Sequence, residues 1–484
     1  MARPLIFIHG YSDKGEAFSP LRDALKKTLE EKGTELIDIN ICTYVSLNNE
    51  ITIKDIAEGL ERAFRNHPTL KQTPDFEFDA IVHSTGMLVI RSWLTNYGIK
   101  STAANHRLKR LKHLIGLAPA TWGSPQAHKG RTWLGALIKG NKDFLGPDFL
   151  NAGDRVLEGL ELGSNFTWDL AHLDLLGEEP YYNKGPNTPF VAVFIGNTPY
   201  EGLESVANDP GTDGTVRWAG CGLNTRKIRI DVTRTPTDPD RNPVPLDKGI
   251  PSRRAWISDF ADSRLDVPMI AVDGRNHGTI LKNPEPGMVD LMTRFLKVGE
   301  EGGDSHDDWL KSAKAYSAKG LAKMLVNPDP SFFGRWFQHG NEEMEGWQQF
   351  VVHAKDERGD PVTDYMIEVL RDGKVFKPIY SDVHAYSLDQ SYRCFHIHLP
   401  KGISSPDLKL IARIHASTGT ELMTYQGYSP AQHQLTADSE PVELELNLGP
   451  KGTLFFPFTT TLIEIVLNRE PRPLNQIGRI LTWI

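Results

Sequence analysis

The chain has 484 residues, of which 39% are hydrophobic and 24% are charged, and its formal net charge is −8. Because a compact domain holds about 100–200 residues, this length predicts two or three structural units with full hydrophobic cores and argues against a disordered chain. The negative charge argues against nucleic acid as a partner, because phosphate binding needs a basic surface.

The N-terminal residues Met1 to Gly10 enter a strand pattern at once, and their apolar run is too short for the core of a signal peptide. No stretch approaches the roughly 18 consecutive apolar residues of a membrane span. We therefore expect a cytoplasmic protein with no transmembrane segment; export by a route that reads no N-terminal signal is the alternative.

Strand and helix patterns alternate through the first 300 or so residues. Short apolar runs predict buried strands at Leu5 to Ile8, Ile37 to Ile41, Ala80 to Val82, Leu114 to Leu117, Phe190 to Ile195 and Val267 to Val272. Apolar residues at helical spacing predict helices that include Leu21, Ile53, Met87 and Met288. This alternation implies an α/β fold with a mostly parallel sheet flanked by helices.

Three stretches interrupt the alternation. Residues 127–180 are rich in Trp, Leu, Phe and Gly without a strand pattern, and residues 233–251 hold a dense Pro/Asp/Arg cluster that predicts a loop excursion. The glycine-rich residues 299–305 are typical of a hinge between domains. We therefore predict a catalytic domain over 1–298, with a linker and helical connector over 299–346.

Short strand patterns without helical spacing follow from residue 347 to residue 484. Turn sequences separate them, among them Arg371-Asp372-Gly373-Lys374, which is typical of a hairpin. The pattern predicts a C-terminal antiparallel β-sandwich over 347–484.

Ser84 follows the predicted strand Ala80 to Val82 through His83 and precedes Gly86 and a predicted helix. This strand–turn–helix context is the one that a nucleophile elbow requires, although Val82 replaces the first glycine of the G-x-S-x-G pattern. The alternative role for Ser84 is a helix N-cap. The backbone N–H groups of Thr85 and Tyr11 would converge as an oxyanion hole if the first strand lies beside the Ser84 strand.

A serine nucleophile needs a base and an orienting acid. His277 lies in a glycine-flanked loop after a strand, whereas His83 adjoins Ser84 and diverges from it. Asp213 is the first candidate for the acid, because a glycine and a β-branched pair follow it; Asp209 and Asp273 are the alternatives.

Six short segments, in order, resemble the bacterial triacylglycerol lipases and related phospholipases of the α/β-hydrolase superfamily. They are Phe7 to Tyr11, Val82 to Gly86, Leu117 to Ser124, Leu162 to Phe166, Thr212 to Val216 and Asn276 to Leu281. The resemblance covers about residues 4–298. It implies a sheet trimmed at its N-terminal side, a cap or lid over about 127–180, and the catalytic order Ser84, Asp213, His277.

The function that this resemblance implies is hydrolysis of carboxylic esters of lipid-like substrates through an acyl-enzyme. The alternatives are an amidase, a thioesterase, a polyester depolymerase, or a silent hydrolase fold that serves as a binding module. We expect no cofactor and no metal, since His396 with His398 and the Asp356 to Asp360 turn match no recognisable ligand spacing. The sandwich is expected to position the enzyme on a lipid surface or a partner. The aromatic residues proposed for that surface, each with a place in the core as its alternative, are Tyr425, Tyr428, Phe455, Phe456 and Phe458. For Phe455 and Phe456 the core is the favoured placement.

Overall fold

The computed structural model describes the chain in segments. These are residues 3–8, 18–29, 36–39, 50–72, 76–96, 107–128, 153–178, 181–183, 187–200, 208–233, 254–255, 257–262, 266–325, 344–376, 381–403, 405, 410–420, 422–426, 428–429, 434–435, 442–445 and 454–471. The chain divides into two compact units, Met1–Thr225 with Ser263–Glu342 and Arg226–Asp262 with Glu343–Ile484.

The first unit contains a six-stranded sheet in which neighbouring strands all pair in parallel. Numbered along the whole chain, its strands are Leu5–Ile8 (β1), Leu36–Ile39 (β2), Phe78–His83 (β3), Leu111–Leu117 (β4), Phe190–Gly196 (β5) and Met269–Val272 (β9). Their order across the sheet is β2-β1-β3-β4-β5-β9. Every residue of β1 and β3 is buried, as expected for strands covered on both faces. The predicted α/β class is confirmed.

Helices flank this sheet in the first unit. They are Ser19–Leu29 (α1), Ile53–Asn66 (α2), Gly86–Thr95 (α3), Asp154–Leu160 (α4), Asn165–Asp174 (α5), Thr279–Lys282 (α6), Pro286–Phe295 (α7) and His306–Met324 (α8), with 3₁₀ turns at Leu70–Gln72 and Trp218–Gly220. None of the described helices is long and apolar enough to cross a bilayer.

The apolar residues predicted at helical spacing lie in the hydrophobic core of the first unit. Leu21, Leu25 and Leu29 of α1 are buried in the same cluster as Met288 and Leu291 of α7. Side chains three and four positions apart share one helix face, so each helix covers the sheet with one apolar stripe.

The predicted cap is described only in its second half. Residues 153–178 contain α4 and α5, and Ser164 caps the N-terminus of α5, where its side chain accepts the Thr167 N–H. The apolar residues from Trp133 to Leu150 that motivated the lid lie outside the described residues. The lid therefore stays a prediction.

The glycine-rich segment 299–305 joins two helices of the same unit, where the sequence indicated a hinge between domains. Its turn packs closely, because a Cβ on Gly303 would collide with the Lys297 carbonyl. The Asp304 carboxylate pairs with Arg294 of α7 at 2.7 Å, and Ser305 caps α8. Helix α8 then packs on β9, where Gly320 allows a close approach to Ala271.

The second unit contains two large sheets and a short hairpin. Its strands are Thr225–Asp231 (β6), Arg254–Ala255 (β7), Ile257–Asp262 (β8), Met344–Asp356 (β10), Tyr365–Arg371 (β11), Lys374–Val375 (β12), Ser381–Ala385 (β13), Tyr392–Pro400 (β14), Leu410–Ala416 (β15), Met423–Gln426 (β16), Tyr428–Ser429 (β17), Gln434–Leu435 (β18), Val442–Glu445 (β19) and Thr459–Pro471 (β20). One sheet has the order β13-β14-β10-β20-β6-β8, with β16 also on β20, and the other β12-β11-β15-β19-β7.

These two sheets pack face to face around one apolar core, which confirms the predicted sandwich. Most strand pairs of this unit are antiparallel, among them β10 with β14 and β11 with β15, whereas β10 with β20 and β19 with β7 pair in parallel. The predicted hairpin joins β11 to β12, and both central turn residues, Asp372 and Gly373, have positive φ angles of 51° and 74°. Such angles match the twist of the flanking strands.

The unit boundaries differ from the sequence-based ones because of strand pairing. Residues 226–262, which the prediction placed in the catalytic domain, supply β6 and β8 to the sandwich sheet. Val232 N–H bonds the Val466 carbonyl of β20 at 3.1 Å. The loop predicted at 233–251 thus joins strands of the second unit, and most of it lies outside the described residues.

The aromatic residues proposed for an exposed surface have different positions. Tyr425 and Phe455 are buried in the sandwich core, which was the favoured placement for Phe455 and the alternative for Tyr425. Phe456 is half-buried beneath the Arg226 guanidinium, which lies 3.2 Å from its ring centroid. Phe458 is also half-buried, and the side chain of Tyr428 lies outside the described residues.

Candidate active site

Ser84 occupies a sharp turn between β3 and α3. Its φ angle is +51°, a left-handed conformation that is costly for a residue with a Cβ. Backbone hydrogen bonds hold the turn, since Ser84 N–H donates to Leu117 O (3.2 Å) and Ser84 O accepts from Ala120 N–H (3.1 Å). Ser84 therefore has the backbone geometry of a nucleophile elbow, and Thr85 takes the N-cap position of α3.

Val82 and Met87 fit around the elbow because the neighbouring strand β4 has a glycine at this position. Val82 is in register with Gly116 of β4. A Cβ on Gly116 would lie 2.6 Å from the Met87 Cε atom. Gly116 thus provides on the adjacent strand the room that the G-x-S-x-G pattern provides at the elbow itself.

Thr85 has an unused backbone donor at the start of α3. Within the described part of the chain no hydrogen bond is formed by its N–H or by its hydroxyl, although the residue is only 2% exposed. An unpaired N–H at a helix N-terminus suits a developing negative charge.

The second predicted oxyanion donor, Tyr11, lies outside the described residues. The strand that leads to it does lie beside β3, with Ile8 in register with Val82. This adjacency was the condition on which the sequence-based assignment depended.

Asp213 and His277 come together by two hydrogen bonds. The Asp213 carboxylate lies 3.0 Å from His277 Nδ1, and the Asp213 carbonyl accepts the His277 N–H at 3.0 Å. The other carboxylate oxygen accepts the N–H groups of Thr215 (3.0 Å) and Val216 (2.8 Å). Because a carboxylate oxygen accepts hydrogen bonds, we assign the donor role in this contact to Nδ1, which leaves Nε2 to act as the base.

His277 also contacts the residue that precedes Ser84. The ring centroids of His83 and His277 are 4.6 Å apart, and His83 Nε2 lies 3.0 Å from the His277 carbonyl oxygen. His83 thus supports the His277 loop and is not itself placed as the base. The structure brings Asp213 and His277 together next to the Ser84 elbow.

The alternative acids have other contacts. Asp273 pairs with Lys319 (2.9 Å) and Lys323 (2.7 Å) of α8, and these two ammonium groups hold the pKa of its carboxyl far below its usual range. Asp209 belongs to a turn in which its carbonyl accepts the Thr212 hydroxyl at 2.6 Å.

Cys221 is buried close to the acid. Burial, together with the Asp213 charge, raises the pKa of its thiol well above the usual range. The thiol therefore stays neutral and does not compete as a nucleophile.

No protein-family model matches the sequence, and no curated protein matches it. Among solved structures, the chain is similar to phospholipase PlaB from Legionella pneumophila, with 18% identity, a TM-score of 0.70, and coverage of 99% of this chain and 97% of that chain. A PlaB complex with thio-NAD gives 19% identity and a TM-score of 0.71 at the same coverage. The mature lipase BlEst2 from Bacillus licheniformis gives 17% identity and a TM-score of 0.31, over 46% of this chain and 79% of that chain.

The chain has the α/β-hydrolase fold. The likeness to PlaB extends over almost the whole length of both chains, so it includes the second unit as well as the hydrolase sheet. At this level of identity the likeness concerns the fold.

Sequence reasoning missed one buried ion pair of this fold. Arg91 of α3 is fully buried and donates to both carboxylate oxygens of Asp174 (2.7 and 2.9 Å) and to the Thr121 carbonyl (2.8 Å). The Tyr182 hydroxyl donates to the same carboxylate at 2.7 Å. The pair ties the elbow helix to α5. The signal in the sequence is a single charged residue inside an otherwise apolar helix.

His396 and His398 lie on one face of β14, as predicted. Both are buried, and the Trp347 ring stacks on His396 with centroids 4.7 Å apart. Their surroundings are aromatic packing on the sheet face opposite to the sandwich core.

Proposed function

We propose that the protein is a serine hydrolase that cleaves carboxylic esters of lipid-like substrates through an acyl-enzyme. The hydrogen bond between Asp213 and His277 next to the positive-φ Ser84 elbow carries the proposal. A nucleophile, a base and an orienting acid are the three groups that this chemistry requires.

In the first half-reaction, Ser84 Oγ attacks the ester carbonyl carbon and its proton passes to His277 Nε2. Asp213 stabilises the imidazolium that forms and keeps the ring oriented. The bond to the alcohol then breaks, and His277 returns the proton to the departing oxygen. In the second half, water gives its proton to His277 and attacks the acyl carbon. The bond to Ser84 Oγ then breaks, and His277 returns the proton to that oxygen, which releases the acid and regenerates the enzyme.

The negative charge on the carbonyl oxygen needs donors that are already in place. The Thr85 N–H is unpaired within the described residues and is assigned to this oxyanion, with the Tyr11 N–H as the second donor. One such donor typically contributes about 100- to 1,000-fold to turnover.

The lipid-like substrate class has two supports. The first is the apolar composition of the predicted cap over 127–180. The second is the likeness in fold to a protein described as a phospholipase. Amides, thioesters and polyesters are the competing substrates, because the same three residues serve every acyl transfer.

We further propose that the second unit places the enzyme on a lipid surface. The large hydrophobic side chains that are exposed among the described residues all belong to this unit. They are Met366, Val375, Val383, Leu388 and Leu422.

An alkyl fluorophosphonate probe tests the nucleophile. The native protein and Ser92→Ala should be labelled, and Ser84→Ala should not; Ser92 is the control because it is a buried serine of the same helix. An unlabelled native protein would reject the proposal and favour a binding module. A labelled Ser84→Ala variant would show that another residue is the nucleophile. Hydrolysis rates on soluble esters, triglyceride emulsion, phospholipid vesicles, an amide and a thioester then identify the substrate class.

A further inference from the structure

The core of the sandwich is not completely filled. Between its two sheets lies a cavity of about 120 Å³ that is partly open to solvent. We call it the inter-sheet slot. The residues that line it are Ile228, Ile230, Phe350, Val352, Ile367, Val369, Phe395, Ile397, Ala412, Ile414, Leu454, Phe455, Ile463 and Ile465.

The lining of the slot is entirely hydrophobic. Every residue that lines it is Ile, Val, Leu, Phe or Ala, so no side chain of the lining offers a charge or a hydrogen bond. A water molecule needs two to four polar partners to be stable in a cavity, and the lining offers none, so an apolar ligand displaces water from the slot at little cost. Its ligand must therefore present a hydrocarbon surface.

The shape of the slot is elongated. In one sheet its walls come from four neighbouring strands, β14, β10, β20 and β6. With strands about 4.8 Å apart, this wall spans roughly 14 Å across the sheet. Each of these four strands contributes two side chains, at positions i and i+2, such as Phe350 and Val352 of β10. The slot is therefore long across the strands and short along them, which suits a linear chain better than a ring system.

The opposite wall is built around a small residue. Ala412 of β15 faces the slot and is in register with Val369 of β11, while Ile414 beside it is in register with Ile367. Val369 and Ile367 remain half-buried although they point between two sheets. Interiors normally contain few voids larger than a water molecule, and an empty apolar void lowers stability. An engineered apolar cavity of about 150 Å³ binds benzene, so a space of this size can hold part of a ligand.

We propose that the inter-sheet slot binds the hydrocarbon end of a fatty acyl chain. The choice of an acyl chain rests on the proposed function, because a lipid hydrolase meets such chains both in its substrate and in its fatty acid product. The apolar lining and linear shape of the slot are independent of that function. The slot thereby gives the second unit a lipid-binding site separate from Ser84.

Photocrosslinking tests the slot in the full-length Ser84→Ala variant, which cannot turn over its ligands. Two probes distinguish the source of the chain: a palmitic acid analogue with a diazirine near its methyl end, and a phosphatidylcholine that carries the same acyl chain. After irradiation, mass spectrometry should locate adducts on peptides from β14, β15 and β20. Adducts from one probe alone would identify which source the slot accepts. No adducts there with either probe, or adducts in the first unit only, would overturn the proposal.

Variants that fill the slot provide the second arm. Ala412→Phe should reduce slot adducts at least tenfold, whereas Val375→Phe should not, because it adds a ring at an exposed position of the same unit. Val369→Phe serves if thermal unfolding shows that Ala412→Phe does not fold. Undiminished adducts in a folded slot-filling variant would reject the assignment.

The fluorophosphonate experiment keeps the two proposals apart. A labelled Ser84 without slot adducts rejects the slot alone. Slot adducts with an unlabelled Ser84 retain the lipid site and reject the hydrolase.

Discussion

Replacing Asp213 by asparagine tests how the carboxylate controls His277. One carboxylate oxygen accepts two N–H groups, from Thr215 at 3.0 Å and Val216 at 2.8 Å, so the asparagine amide oxygen must take that position. The amide nitrogen then takes the other position, 3.0 Å from His277 Nδ1. Because an NH₂ group only donates, Nδ1 becomes the acceptor and the ring proton moves to Nε2.

This exchange of tautomers removes the base. With a proton on Nε2, His277 cannot accept the proton of Ser84, although every backbone contact of the loop is retained. In serine proteases the corresponding change lowers kcat by roughly 10⁴-fold. The same loss here corresponds to about 5 kcal/mol of transition-state stabilisation.

The assay is turnover of a soluble short-chain ester near neutral pH, with unfolding measured in parallel. Asp273→Asn is the matched control, because Asp273 also lies in this region but pairs with Lys319 and Lys323. Asp209→Asn is the second control. Both should cost little activity. A loss below tenfold in Asp213→Asn, or an equal loss in either control, would refute this account of the acid.

Three further outcomes are expected. Arg91→Met should lower the free energy of unfolding, measured in urea, by about 3–5 kcal/mol, because it leaves the buried Asp174 carboxylate without its cation. Adding Asp174→Asn should recover part of this loss. If stability is not recovered in the double variant, the buried charge is not the cause. Burial lowers the pKa of His353 from 6.5 to about 4, so stability should fall as pH drops through this range because the unfolded chain takes up a proton that the folded chain does not. His353→Phe should flatten that fall in urea titrations at several pH values, and an unchanged profile would count against it. The double variant Val383→Ser with Leu388→Ser should slow hydrolysis of phospholipid vesicles by about tenfold, because each exposed side chain loses on the order of 1 kcal/mol of transfer free energy. Hydrolysis of a soluble ester should be unaffected. An equal loss on both substrates would argue against surface binding.

The elements of the site could be found in the sequence because their signals are local. A buried strand that runs into Ser84 and a helix predicts the elbow, and Asp372 with Gly373 predicts a hairpin turn. Each signal depends on a few adjacent residues whose backbone preferences decide the geometry.

The choice among three candidate acids was not local. The residues that follow Asp213 made it the first candidate, but Asp209 and Asp273 stayed open as alternatives. The hydrogen bond to His277 in the structure distinguishes Asp213 from both. His277 is 64 positions further along the chain. A contact over such a separation depends on how the whole sheet is ordered.

The division into two units also depends on contacts between residues that are far apart in the sequence. The sequence around β6 and β8 has no pattern that distinguishes a hydrolase strand from a sandwich strand, because both are short and partly apolar. The place of β6 was decided by its neighbour β20, more than 200 residues further along the chain, and β8 follows because it pairs with β6.

The sequence by itself therefore determined the α/β alternation, the strand–Ser84–helix turn and the β-rich C-terminal part. Backbone preference and hydrophobic spacing act within a few residues, so the elements that depend on them can be predicted from short segments of the sequence. Only the tertiary structure decided which acid meets His277, that Arg91 is paired with Asp174, and that the sandwich keeps an apolar slot. Each of these depends on packing between elements that are far apart in the chain. There the free energy gained by burying apolar groups and the cost of burying unpaired polar groups depend on the complete fold.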